Sequence, residues 1–206
     1  MGEFTMCYVI DCEEGIHEKD EFEDSEFNNI KATSCDFTNK TFVECIFNSC
    51  DFSNSDFSSG TFKECKFINC NLSLVKYDDC RMMDVKFEES KILGISFHKV
   101  NSFILEINFE KSLIQNCNFS KMKLSKSMFK DNSIFESDFV DTDLSACDFR
   151  GSDLQRTVFN NCNLSKANFT GAMNYNIDLQ ENIHKKAIFS MPDAIGLLKN
   201  FDIIIK

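Results

Sequence analysis

The chain has 206 residues, 43% of them hydrophobic, enough for a continuous core and too many for wholesale disorder. Its net charge of −11 argues against direct nucleic-acid binding, which needs a basic face, and suits a basic partner surface instead. With 23 Phe, 3 Tyr and no Trp the aromatics fit a repeat with one aromatic slot, while 7 Gly and 1 Pro are too few for a fold of tight hairpins.

The first element is acidic. Glu13, Glu14, Glu18, Asp20, Glu21, Glu23, Asp24 and Glu26 form a run interrupted only by Lys19 among cations. Residues 1–60 carry a net −11 and residues 61–206 a net zero, so the whole excess sits at this end. No apolar stretch here has the length of a signal peptide, and no run approaches a membrane span. A cytoplasmic protein without membrane contact is therefore expected. Residues 1–21 read as an acidic segment capping the first coil of a repeat array.

From Phe22 a large residue recurs at every fifth position through Phe27, Phe37 and Phe42 to Phe97, Ala32 being the one small member. Five is the period of neither a helix nor a strand. A second slot lies two residues before each large one. Of 27 such positions between Cys35 and Ala167, 22 hold Ala, Cys, Ser, Thr, Val or Gly; the exceptions are Lys40, Ile95, Ile107, Met122 and Asn132. Large and small at a fixed offset place both side chains in one narrow interior, and the mostly polar remainder faces solvent. The expected object turns after every five residues around that core. Nine of the 11 Cys occupy the small slot, without a Cys-x-x-Cys pair or a Cys/His cluster of zinc-ligand spacing. Reduced thiols acting as small hydrophobes, with no metal or cofactor, are expected.

Between Phe97 and Ile104 the spacing stretches to seven, a slip within "HKVNSF" at residues 98–103. It reads either as a tolerated bulge or as a small projecting loop that binds, with His98, Lys99 and Asn101 as candidate partner contacts. A second register then runs Ile104, Phe109, Ile114 and onward to Phe169, every member Phe, Leu or Ile, before fading through Asn174, Leu179 and Phe189. Asp138, Asp143, Asp148 and Asp153 each precede a large residue, one in each of four successive five-residue units. With Glu136 and Asp141 against Arg150, residues 136–153 carry a net −5 and form the candidate partner-binding set. The repeat itself also favours Asp or Asn before the large residue, so the same carboxylates have a structural reading.

In the tail, Ser190 as N-cap, Pro192 in the first turn and Asp193 mark a helix start. Ile195, Leu197 and Leu198 make its apolar face, followed by strand-like residues 201–205. Such a tail caps the open end of the array or joins subunits, and Leu197, Leu198, Phe201, Ile203 and Ile205 are the candidate dimer interface.

The stretch "CDFRGSDLQRTVFNNCNLSKANFTG", residues 147–171, resembles the pentapeptide-repeat family, whose motif is A(D/N)LXX. The resemblance implies an all-β fold, a right-handed quadrilateral β-helix over residues 22–189 slipping only at 98–103, with a short C-terminal helix in 190–206. Within that family the chain is most similar to the Qnr proteins in length, Phe/Leu core, mid-chain irregularity and apolar C-terminal tail. That similarity implies a homodimer joined at its C-termini, with a surface imitating the size and charge of duplex DNA. It further implies binding to a type II topoisomerase (DNA gyrase or topoisomerase IV) and protection from quinolones, with no catalytic residue. The chain departs from better-known members in lacking long inserted loops. The alternative is a pentapeptide-repeat scaffold for another protein partner.

Overall fold

The computed structural model describes residues 19–199, 201 and 203. They wind into a right-handed, four-sided β-helix of about eight coils, built from short parallel strands. Most of the expected N-terminal cap, residues 1–18, lies outside the described residues. Successive coils pair residue i with residue i+20. Glu21–Glu23 lies on Thr41–Val43 and Thr61–Lys63 along one face, and Glu26–Asn28 on Ile46–Asn48 and Lys66–Ile68 along the next. The other two faces of this half are joined by single bridges, Lys31 to Asp51 to Asn71 and Asp36 to Asp56 to Lys76.

The corner is a left-handed residue two places after each large one. Asp24, Asn29, Ser34 and Asn39 turn the first coil with φ of 46, 55, 58 and 61°. Short polar side chains enter that region at little cost, so the polar exterior of the repeat is also its hinge. Leu74 and Ala146 adopt it too, each pinned by its N–H to the next coil, on Leu93 O at 2.7 Å and Ser165 O at 2.8 Å. Gly94 turns its corner at φ +67°, and a Cβ there would press on the exposed Leu74 at Cδ2, 2.7 Å away.

Inside, the large slots become columns. Phe27, Phe47, Phe67, Phe87, Phe109, Phe129, Phe149, Phe169 and Phe189 stack with ring centroids 4.6–5.1 Å apart. Around a coil the rings meet edge-on, as Phe42 and Phe47 do at 5.3 Å and 73°. Both arrangements suit the ring quadrupole. The small slot has a second duty that size alone does not explain. Its side chain donates to the carbonyl 23 residues earlier: Cys65 Sγ to Phe42 O (3.3 Å), Thr142 Oγ1 to Phe119 O (3.0 Å), Asn132 Nδ2 to Phe109 O (3.0 Å). A carbonyl turned inward at a corner would otherwise be buried without a donor, so Cys, Ser and Thr serve better there than Ala. Lys40 breaks the size rule for a different reason: its Nζ reaches the top of the solenoid and binds Lys19 O at 2.9 Å and Asp20 Oδ1 at 2.8 Å.

At the mid-chain slip only the first member of the second register, Ile104, departs from expectation; Phe109 and the members after it are buried. Val100 is still interior, and Asn101 N–H still donates to Cys80 O at 2.9 Å. The chain then leaves the wall, with Phe103 90% and Ile104 56% exposed. It rejoins at Leu105–Glu110, where Leu105 faces Met82 and Ile107 faces Val85. Leu105, not Ile104, therefore takes the interior place, because realigning a whole strand on Arg81–Glu88 outweighs burying one side chain. Ile95, Ile107 and Met122, the large exceptions in the small slot, are buried in the coils around this point.

A second irregularity departs from the single slip expected. Asp153 bridges Met173, Phe159 then pairs with Ile177, and Asn163 bridges Ile183, so two residues are skipped and regained. Tyr175 and Ile177 are buried where counting by fives places Asn174 and Leu179, and Leu179 is left half-buried against the core. Asn174 instead makes a left-handed corner, φ 57°, and its Nδ2 donates to Asp153 Oδ1 at 2.8 Å. The β-helix thus slips twice.

The C-terminal helix is a 3-10 helix, Asp193–Leu198, with Pro192 at its N-cap. Ser190 does not cap it through its side chain; Ser190 Oγ accepts Gly171 N–H from the last regular coil at 2.8 Å. Leu197 is buried under the final coil, while Leu198, Phe201 and Ile203 are exposed. Residues 204–206, including Ile205, lie outside the described residues.

Candidate protein-interaction surface

The acidic set at 136–153 is not one patch. Asp138, Asp143, Asp148 and Asp153 lie on four different faces, shown by their bridges to Asn118, Lys123, Met128 and Ser133 one coil away. Most members are engaged within their own wall. Asp143 Oδ1 accepts Ser145 N–H at 3.0 Å and Asn163 Nδ2 at 3.1 Å. Asp148 is clamped by Arg150, Nη2 to Oδ2 at 2.6 Å, which holds its carboxyl below the usual range. Glu136 accepts from Arg156 Nη1 at 2.9 Å and Gln115 Nε2 at 3.4 Å, and these bonds depress its pKa in that order. Asp141 accepts Asn161 Nδ2 at 2.6 Å. These carboxylates fasten the wall, through bonds to their own backbone and from coil to coil.

At the slip, His98 and Lys99 close a single 3-10 turn, Phe97–Lys99, and both are exposed. Lys99 Nζ is bound to Asp78 at 2.8 Å, and Asn101 Oδ1 accepts Phe103 N–H at 3.0 Å. The projecting side chains are the apolar pair Phe103 and Ile104, which borders a recess of about 410 Å³ with Thr61, Arg81, Met83 and Asn101.

One acidic feature escapes counting by fives and shows when the sequence is read by twenties. Asp24, Glu44, Glu64 and Asp84 are corner residues stacked on one edge, and the offset at the slip adds Glu106, which precedes Ile107 as Asp84 precedes Val85. Lys63 and Lys86 touch two of them, Glu64 at 3.4 Å and Asp84 at 3.6 Å. The like charges of Asp24 and then Glu64 raise the pKa of Glu44. This is a ladder of carboxylates at the coil step of ~4.8 Å.

Eight described cysteines are free and buried, among them the stacked pairs Cys45/Cys65 and Cys50/Cys70. Cys35 departs from the expectation of reduced thiols, being disulfide-bonded. Burial pushes Cys80 up to about 12 and Cys117 up to about 11, so they stay protonated. Among the described residues no three His, Cys, Asp or Glu side chains gather into a metal site, and no helix is long and apolar enough to cross a membrane.

A family model for pentapeptide repeat regions matches residues 40–116, and a model of pentapeptide repeats in eight copies matches residues 137–172. This chain belongs to the pentapeptide-repeat proteins. Among solved structures, full-length QnrB1, described as a plasmid-mediated fluoroquinolone resistance protein, aligns with a TM-score of 0.62 at 17% identity, over 89% of this chain and 90% of that one. A trypsin-treated variant of QnrB1 aligns with a TM-score of 0.60, also at 17% identity, over 90% of each chain. HetL of the cyanobacterium Nostoc, a pentapeptide-repeat protein involved in heterocyst differentiation, aligns at a TM-score of 0.31 and 17% identity, over 85% of this chain and 93% of its own. No curated protein matches the chain in sequence. In this pentapeptide-repeat rod the QnrB1 likeness concerns the fold, and the surfaces must be argued from their own residues.

Proposed function

We propose that this pentapeptide-repeat protein is a DNA mimic that occupies the DNA-binding surface of a type II topoisomerase, gyrase or topoisomerase IV, and protects it from quinolones. The observation that carries this reading is the ladder from Asp24 to Glu106, five carboxylates aligned on one edge of a rigid rod. Rows of lysine and arginine that otherwise meet phosphates would meet it without reorganisation of the rod. The fold likeness to QnrB1, a fluoroquinolone resistance protein, supports the same reading. The protein works as a homodimer, its exposed Leu198, Phe201 and Ile203 suiting a C-terminal contact.

Purified protein should restore gyrase supercoiling in the presence of a quinolone. Its binding should weaken steeply as salt rises, as phosphate contacts do. Asp24→Asn with Glu44→Gln and Glu64→Gln should abolish binding, whereas Asp138→Asn with Asp141→Asn and Asp143→Asn should weaken it less. Binding indifferent to salt and to both sets would remove DNA mimicry and leave a scaffold for another partner.

A further inference from the structure

We infer that two copies of this chain pair side by side and antiparallel along the edge that carries the acidic ladder. The edge does not stay acidic. Beyond Glu106 the same corner continues as Lys126, Ala146, Lys166 and Lys186, each in the left-handed corner conformation. One straight edge thus bears five acids in its first half and three lysines in its second. Lys126, Lys166 and Lys186 are exposed and form no salt bridge among the described residues, nor do Asp24 and Glu44.

Such an edge is complementary to itself in one orientation only. A two-fold axis at Glu106 sets Asp24 against Lys186 of the second copy, Glu44 against Lys166 and Asp84 against Lys126. Glu64 then faces Ala146, and the one like-charge contact is Glu106 with its own copy on the axis. Acids and lysines share the coil step of ~4.8 Å, so a single register serves every opposite-charge pair. Parallel pairing would place like charge on like along the whole edge. A closed, isologous dimer follows from the antiparallel choice.

A second observation marks the same place. The apolar bulge, Phe103 and Ile104, leaves the wall beside Glu106, at the midpoint of the edge, next to the recess lined by Met83 and Arg81. The two-fold brings each bulge to the other copy's recess, where an exposed Phe gains cover. Exposed ion pairs are individually weak, so the contact is reversible, and it hides the acidic ladder from any basic partner. None of this depends on which enzyme, if any, the protein protects.

The test is sedimentation velocity of the full chain at about 0.01 M and about 1 M salt, where the Debye length falls from about 30 Å to about 3 Å. An association step should be present at low salt and lost at high salt. Lys166→Glu should abolish it, and the swap Glu44→Lys with Lys166→Glu should restore it, because each copy then offers the inverted pair. Lys126→Glu with Asp84→Lys provides an independent swap, and circular dichroism verifies that each variant is folded. An apolar C-terminal dimer would persist in both salts and in every variant, so it adds a constant mass. Absence of low-salt association, indifference to Lys166→Glu, or failure of both folded swaps to restore pairing overturns the proposal.

Discussion

The coils from Glu21 to Phe97 and the segment from Asn101 to Leu105 obey different rules although they are parts of one wall. In the first, each side chain's fate follows from its place in a five-residue unit, because every coil finds an identical coil twenty residues away. In the second, the strand Leu105–Glu110 chooses its partner residues in Arg81–Glu88, and the side chains between are left where the geometry puts them. Register in this protein is set by pairing across coils, and periodicity along the chain is its trace. Where the two disagree, pairing prevails, since a lost ladder would strand several buried backbone groups at once.

The strongest way to break the regular rule is to hollow a column. Leu154, fully buried, should lose about 2–5 kcal/mol of stability on Leu154→Ala. Lys166→Ala, on an exposed corner, should stay within about 0.5 kcal/mol. Equal shifts in denaturant midpoint would contradict the inside–outside assignment. The slip gives a finer contrast between neighbours. Leu105→Ala should cost roughly 1–2 kcal/mol, in proportion to a half-buried side chain, while Ile104→Ala should be near neutral. The reverse order in chemical denaturation would restore Ile104 to the interior.

A smaller effect lies inside a stack. Tyr77 sits between Phe57 and Phe97 with centroids at 5.7 and 6.2 Å, wider than the 4.6 Å of Phe37 and Phe57, and its buried hydroxyl has no hydrogen-bond partner. Tyr77→Phe should therefore stabilise the protein by up to about 1 kcal/mol, or leave it unchanged, in thermal melting. A clear loss would mean that the hydroxyl is satisfied.

The smallest effect concerns charge on the edge. Asp24 and Glu64 raise the pKa of Glu44, so its ionised form is disfavoured in the folded state. Its contribution is most favourable below the unfolded carboxylate pKa and is lost as pH rises through the raised folded value. Glu44→Gln should thus give a slightly higher melting temperature at neutral pH, and the gain should vanish once the carboxylates are protonated. A gain that grew on acidification would have the wrong sign.

Much of this molecule is legible in residues alone. Phe at one slot and Cys, Ser or Thr at another, repeated at fives, dictate a narrow interior with a polar exterior, because no helix or flat sheet buries that pattern. The family resemblance then supplies four sides to a coil. Counting by fives does not say which carboxylates share a surface. Asp138 and Asp143 are close in sequence yet lie on different faces, while Asp24 and Asp84 are three coils apart along the chain and stand on one edge.

Only the tertiary structure decided the vertical dimension. The inversion from acids to lysines along one edge, the emergence of Phe103 and Ile104, and the burial of Tyr175 and Ile177 in place of Asn174 all depend on which residue lies above which. The repeat determines where a side chain points. Its neighbours one coil away are set by strand pairing, which absorbs two-residue irregularities that a count along the chain carries forward as errors of register.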